Sequence, residues 1–312
     1  MIVFCEGVPA KMTIRFDGRA AIVTGSGGGL GRCHALGLAS RGAKVVVNDI
    51  GKDGAASDSA LKVVEEIRAA GGVATADGAD VVNLEQVTAM VARAEKEWGR
   101  IDILVNNAGI LRDKSFAKME MSDFDRVVRV HLTGSANCAK AVWNGMRERN
   151  YGRIVFTSSA SGIYGNFGQA NYGAAKAAMI GLMNVLHLEG AKYGIRVNTL
   201  APTAATAMTD GLLSPDEAAL LSPESVTPAV LFLASEGAPS RIILGAGAGV
   251  FAVTRIEETR GVYLDDAERS PDTIAARWDE ISQAASFPLA DALSQTRKFA
   301  ELARLARGQS AG

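Results

Sequence analysis

Cysteine is scarce in this chain of 312 residues: only Cys5, Cys33 and Cys138 occur. They are odd in number, far apart and without metal-ligand spacing, which argues against a disulfide framework and for a reducing, cytoplasmic setting. An excess of one charge is missing too. The 33 basic and 34 acidic residues leave a formal net charge of −1, with no long run of like charge, so neither nucleic acid nor an anionic membrane surface is an expected partner. Long apolar runs are equally absent. The stretch Ala174 to Leu188 is interrupted by Lys176, Asn184 and His187 and falls short of the roughly 20 residues a spanning helix needs. The start, Met1 to Lys11, has a short apolar patch but no basic leader, and Ser310-Ala311-Gly312 does not read as a peroxisomal address. What remains is a globular chain acting on small molecules, with residues 1–12 expected as an N-terminal extension.

Two patterns then alternate along the sequence. Continuous β-branched runs bounded by Gly, Asn or Asp mark strands buried on both faces: Ala20 to Thr24, Lys44 to Asp49, Val73 to Ala76, Ile101 to Asn106, Arg153 to Ser158 and Ile195 to Leu200. A further strand is expected near Gly249 to Thr254. Helical stretches lie between them: Gly31 to Arg41, Ser57 to Ala70, Leu84 to Trp98, Ser122 to Arg149 and Ala170 to Tyr193. Asn83 and Ser122 offer N-terminal caps, and Gly71, Gly99 and Gly194 offer stops. The expected fold is therefore α/β: a doubly wound, Rossmann-type parallel sheet of about seven strands over residues 13–255, with its ligand crevice at the carboxyl ends of the strands. Thr203 to about Pro228 is rich in Thr, Ala, Ser and Pro and is expected to be a mobile segment closing over substrate. Residues 256–312 are expected as a helical C-terminal extension (Pro271 to Ala285, Leu289 to Ala306), too short for a core of its own.

The first strand runs directly into Thr24-Gly25-Ser26-Gly27-Gly28-Gly29-Leu30-Gly31, and a helix follows. Glycines at Gly25, Gly29 and Gly31 let the backbone approach a diphosphate, and the helix start offers unpaired amides and a positive dipole end. A lone glycine motif is weak evidence, but here it sits in the strand-turn-helix context that dinucleotide binding requires. The second strand ends at Asp49. Its carboxylate either accepts both hydroxyls of an adenosine ribose, which favours NAD over NADP, or merely caps the strand end. Asp80 and Val81, after the third strand, either meet the adenine or form an ordinary turn.

Tyr172 and Lys176 stand at i and i+4 near a helix start, so both project from one face. A free tyrosine titrates at about pH 10, too high for a base at neutral pH, but a neighbouring ammonium and a cationic nicotinamide would favour the phenolate. Ser159, at the end of the fifth strand, can hydrogen-bond the reacting oxygen. Together with Thr24 to Gly31 and Asn106-Asn107-Ala108-Gly109, these residues resemble the classical short-chain dehydrogenase/reductase family over roughly Phe16 to Thr254. The resemblance implies that Lys176 also holds the nicotinamide ribose, that Asn106 steadies the central strands, and that Asn107, Ala108 and Gly109 join Leu30 in lining the cofactor. One departure stands out. Where the family usually places an Asn to complete a proton relay, this chain has His131, which either serves that relay or is a packed, hydrogen-bonded histidine.

Val130-His131-Leu132, the run Ala160 to Tyr172 and Val47 to Gly51 are similar to the branch of that family that oxidises (3R)-3-hydroxyacyl-CoA thioesters. That likeness implies NAD, and a 3-hydroxyacyl-CoA (with or without a steroid side chain) or a 17β-hydroxysteroid as substrate. Arg112, Lys114 and Lys118 either attract a CoA phosphate or form a solvated face. Other readings are an NADPH-dependent 3-oxoacyl reductase of lipid synthesis, which Asp49 disfavours, and a dinucleotide-sensing protein without catalysis, which the Ser-Tyr-Lys set disfavours. Ala174 to Leu188 is apolar on more than one face, as expected for a homodimer or homotetramer.

Overall fold

The computed structural model describes residues 13–206 and 214–308. The β-branched runs form β1 (Ala20–Thr24), β2 (Lys44–Asn48), β3 (Val73–Asp77), β4 (Ile103–Asn106), β5 (Gly152–Thr157) and β6 (Ile195–Pro202), all parallel. Two strands close the sheet, β7 (Ile243–Gly247) and β8 (Val250–Thr254), giving the order β3-β2-β1-β4-β5-β6-β7-β8. The order reverses between β1 and β4, so the loops after these two strands diverge and leave a crevice at their carboxyl ends. β4 begins two residues later than its apolar run because Asp102 is engaged otherwise. Its Oδ2 accepts from the Ala20 amide at 3.0 Å and its Oδ1 from Arg100 at 2.6 Å, fixing the lower edge of the sheet.

The helices are α1 (Gly29–Ser40), α2 (Asp58–Ala69), α3 (Leu84–Trp98), α4 (Met121–Val128), α5 (Gly134–Glu148), α6 (Ala160–Tyr164), α7 (Ala170–Gly190), α8 (Pro215–Leu220) and α9 (Thr227–Ala234). One core packs Leu38, Val63, Ile67 and Val230 against one face of the sheet; the other packs Met90, Val142, Met146, Met179 and Met183 against the opposite face. The end signals of α3 work as their chemistry requires: Asn83 accepts from the Glu85 and Gln86 amides, and Gly99 closes the helix in the left-handed region at φ 79°; Ser122, expected as a cap, instead lies inside α4, whose cap position is Glu120.

Three expectations are corrected. The helix expected from Ser122 to Arg149 starts at Met121 and is divided by a π-helical turn over Arg129–Thr133, which no periodicity marks. β7 was missed because Ile243-Leu244-Gly245-Ala246-Gly247 is diluted by glycine and alanine; the strand expected near Gly249 is β8, reached through Ala248 and Gly249 at φ 50° and 75°. α9 was missed because Thr227–Ala234 is apolar on all sides and shows no helical period. It lies against α1, where a Cβ on Gly37 would come within 2.6 Å of Thr227 Cγ2. Of the segment expected to close over substrate, residues 207–213 lie outside the described residues, and its remainder holds α8 and the start of α9.

The chain divides into two compact units, Met1–Val253 and Thr254–Gly312. In the second, β9 (Glu258–Thr259) pairs antiparallel with β10 (Ser286–Phe287). The helix expected over Pro271 to Ala285 is two, α10 (Pro271–Ala276) and α11 (Trp278–Gln283), and α12 (Ala292–Ala306) follows. Lys298 Nζ pairs with Glu258 and donates to the Thr259 carbonyl at 2.8 Å, tying α12 to β9.

Candidate active site

A cavity of about 1020 Å³ opens at the carboxyl ends of the strands. It takes in most of the residues singled out from sequence: Gly25, Gly29, Leu30, Asp49, Asp80, Val81, Asn107, Ala108, Gly109, His131, Tyr172 and Lys176 all line it. Gly31 sits just beneath. A Cβ there would come within 2.2 Å of the Gly25 carbonyl oxygen, so the close approach of α1 to the loop requires glycine. Gly25 has φ 62°, and its own Cβ would meet Ala108 Cα at 2.7 Å. α1 carries no side-chain cap, which leaves its first amides to an external acceptor.

The loop is held by Thr24 and Asn107 through contacts that their sequence positions do not show. Thr24 Oγ1 accepts from the Asn107 and Ala108 amides at 3.0 and 3.1 Å, and Asn107 Nδ2 donates to the Thr24 and Gly25 carbonyls at 3.1 and 3.0 Å. Asn107 thus positions the glycine loop. Asp49 Oδ2 accepts from the Gly27 amide at 2.8 Å, so its carboxylate is fixed at the end of β2 and faces the cavity. Asp80 Oδ1 accepts from the Val82 amide at 3.0 Å, the geometry of an ordinary Asx turn. The side chain of Asn106, expected to steady the strands, is buried with neither Oδ1 nor Nδ2 hydrogen-bonded.

Ser159, Tyr172 and Lys176 come together at the other end. Ser159 caps α6, its Oγ accepting from the Ser161 amide at 3.2 Å, and it lies near enough to Tyr172 to favour the phenolate, although it is not one of the residues lining the cavity. The Lys176 ammonium lies 5.5 Å from the Tyr172 ring centroid and donates to the Thr157 carbonyl at 2.6 Å. Burial lowers Lys176 to about 7. Tyr172 departs from the expected activation: burial raises its phenol above the ordinary value, the Ser159 hydroxyl opposes this, and the Asp113 carboxylate adds to it. In the protein alone, desolvation of the phenolate outweighs the help of its neighbours.

His131 is buried on the π-helical turn, and its ring meets Tyr172 edge to face at 5.3 Å between centroids. Nε2 faces both the amide and the carbonyl of Ile110, at 3.1 and 2.8 Å, while Nδ1 has no hydrogen-bond partner. Burial, with the Lys176 charge adding to it, lowers the imidazole to about 3. It is therefore neutral at physiological pH and a hydrogen-bonding group rather than a charged one. Arg112 and Lys114 do not line the cavity; they face Asp123 at 3.7 and 4.0 Å, an exposed arrangement in which the carboxylate offsets their charge. Lys118 lies outside the cavity wall as well.

A cavity joining a glycine loop at the sheet reversal to a Ser-Tyr-Lys set is the arrangement of a dinucleotide-dependent oxidoreductase. The chain belongs to the short chain dehydrogenase family, whose model matches residues 19–217. It is 47% identical over 275 residues to peroxisomal multifunctional enzyme type 2 of Mus musculus, covering 86% of this chain and 37% of that one. A Mycobacterium tuberculosis protein described as of short-chain dehydrogenase/reductase type is 45% identical over 269 residues, covering 85% of this chain and 94% of that one. Among solved structures, the full-length peroxisomal multifunctional enzyme type 2 of Drosophila melanogaster superposes with a TM-score of 0.80 at 36% identity, over 94% of this chain and 51% of that one. A 7α-hydroxysteroid dehydrogenase complexed with NADH and 7-oxo glycochenodeoxycholic acid superposes with a TM-score of 0.69 at 33% identity, over 75% of this chain and 96% of that one. The chain spans little more than a third of the mouse relative's length. These matches agree with the resemblance read from the motifs, and the chain is an oxidoreductase acting on hydroxyl and keto groups.

Proposed function

We propose that this chain is an NAD-dependent dehydrogenase that interconverts a secondary alcohol and a ketone, with a (3R)-3-hydroxyacyl-CoA as its substrate class and a 17β-hydroxysteroid as the second candidate. The observation that carries this reading is the meeting, in one cavity, of Tyr172 and Lys176 with a fixed Asp49 at the end of β2, with Ser159 beside Tyr172 at the start of α6. The glycine cradle fits a dinucleotide, since it presents uncapped amides where any larger residue would clash. Asp49 would accept the ribose hydroxyls and repel a 2′-phosphate, which favours NAD and works against an NADPH-dependent reductase.

Nicotinamide, when bound, supplies the hydride acceptor. In oxidation the substrate hydroxyl hydrogen-bonds Ser159 Oγ and gives its proton to Tyr172 Oη, which would be the phenolate once a cationic nicotinamide offsets the burial of its charge, the carbonyl forming as the C–H hydride leaves for that ring. Lys176, held by the Thr157 carbonyl, places its charge beside the phenolate and within reach of a ribose. Reduction reverses these steps. His131 acts by packing: it holds Ile110 and one face of Tyr172. The exposed Val185 and Leu188 on α7 support a homodimer or homotetramer. The free thiols of Cys33 and Cys138 support a reducing, cytoplasmic setting, and among the described residues no helix is long and apolar enough to cross a membrane.

The test is cofactor reduction by purified protein, comparing NAD and NADP with a (3R)-3-hydroxyacyl-CoA and with 17β-estradiol. Turnover of the thioester with NAD is expected. Turnover with NADP alone would overturn the Asp49 argument, and turnover of the steroid alone would overturn the thioester assignment.

A further inference from the structure

Two cations on the cavity wall have no role in the scheme above. Arg126, in the last turn of α4, and Arg129, on the π-helical turn that follows, both line the cavity and are both exposed. Residues three apart on a helix have Cβ atoms about 5–6 Å from one another on one face, so the two guanidinium groups can address a single anion. Among the described residues neither side chain forms a hydrogen bond or ion pair, although Asp125 and Asp123 line the same wall and Asp123 faces Arg112 and Lys114. The neighbouring cations are thus matched with a carboxylate, while the side chains of this pair are left for an outside anion to answer.

The dinucleotide does not account for the pair. Its diphosphate has the uncapped start of α1 and the glycine loop, and its adenosine ribose has Asp49. A coenzyme A thioester brings a second set of phosphates, a diphosphate and a 3′-phosphate, that must lie outside the reacting centre. α4 packs against α7, the helix that carries Tyr172 and Lys176. A substrate seated at Tyr172 therefore lies in a cavity whose α4 wall carries the two arginines. Guanidinium groups bind phosphate oxygens through two parallel hydrogen bonds, which a lone surface lysine does not.

We propose that Arg126 and Arg129 form a phosphate subsite for the nucleotide end of a CoA thioester, a role distinct from cofactor binding; this rests on the thioester reading given above. The subsite would discriminate CoA esters from steroids and from thioesters on shorter carriers, since only the former carry phosphate.

Isothermal titration of the full chain with free CoA, dephospho-CoA and pantetheine tests it, comparing wild type with the double variant Arg126→Gln, Arg129→Gln and with Lys118→Gln as a surface control. The wild type should prefer CoA to pantetheine. The double variant should lose about tenfold or more in CoA affinity with its pantetheine and NADH affinities unchanged, and Lys118→Gln should match wild type. Equal CoA affinity in the double variant and wild type would overturn the subsite, and so would a matching loss of NADH affinity, which would assign the arginines to the cofactor. Steady-state turnover separates the two readings. Wild type oxidising a 3-hydroxyacyl-CoA and its N-acetylcysteamine thioester with equal KM removes the subsite and leaves the dehydrogenase assignment standing, whereas no NAD-dependent oxidation of either thioester removes both.

Discussion

At position 131 the sequence shows a departure but not its geometry. The imidazole could be read as a titrating group because histidine alone has an ordinary pKa of about 6.5. Its partner, the Ile110 backbone, is 21 residues away and follows no spacing rule, so burial and the depressed value emerge only from the fold. The same packing explains a glycine. A Cβ on Gly109 would come within 2.1 Å of His131 Cε1, so Gly109→Ala should lose activity by about 100-fold, or about 3 kcal/mol of displaced machinery. Removing the ring in Gly109→Ala, His131→Ala should restore a large part of that loss, because the clash and not the methyl group is at fault. Rates for the two single variants and the double form a cycle, and additive losses would contradict the contact.

Strands buried on both faces were legible because they are β-branched throughout, and the glycine loop because its context is fixed by β1 and α1. Less legible were elements defined by their neighbours. The short α6 has no periodicity of its own, yet it sets the catalytic geometry, for Ser159 caps it and Gly162 presses it onto α7. A Cβ on Gly162 would lie 2.7 Å from the backbone of Lys176 and Ala177, so Gly162→Ala should push Ser159 and Lys176 apart. The expected result is a fall in kcat of at least about tenfold, equivalent to about 1.4 kcal/mol, with NADH affinity retained. Gly181→Ala, at a position with nothing within 4 Å of the new Cβ, should leave kcat unchanged and add helix stability. Comparing kcat and NADH affinity for the two variants checks this, and equal kcat in both would remove Gly162 from the positioning scheme.

Across the whole molecule, composition and alternating patterns conveyed the doubly wound architecture, but not the pairing of β7 or the burial of His34. His34 sits under α9, its Nδ1 at 3.0 Å from Thr227 Oγ1, and burial lowers it to about 3, as it does His131. Both imidazoles titrate at about 6.5 when unfolded. Between about pH 6.5 and 3 the unfolded chain therefore binds more protons than the folded one, so stability falls as pH drops through 6. Each histidine contributes a slope of about 1.4 kcal/mol per pH unit there. Urea midpoints at pH 7.5 and 5 should differ accordingly, and His34→Gln should remove the His34 share of the difference, leaving those of His131 and of His187, which burial also lowers. An unchanged pH dependence in that variant would contradict the buried neutral state.

The most direct test of the account replaces one oxygen. Tyr172→Phe keeps the ring against His131 and removes the atom that is to carry the substrate proton. Turnover of the (3R)-3-hydroxyacyl-CoA with NAD should fall by about 1,000-fold or more while NADH binding, followed by its fluorescence, stays at the wild-type value. A variant that keeps substantial turnover would contradict the assignment of Tyr172 as the base and, with it, the reading of the cavity.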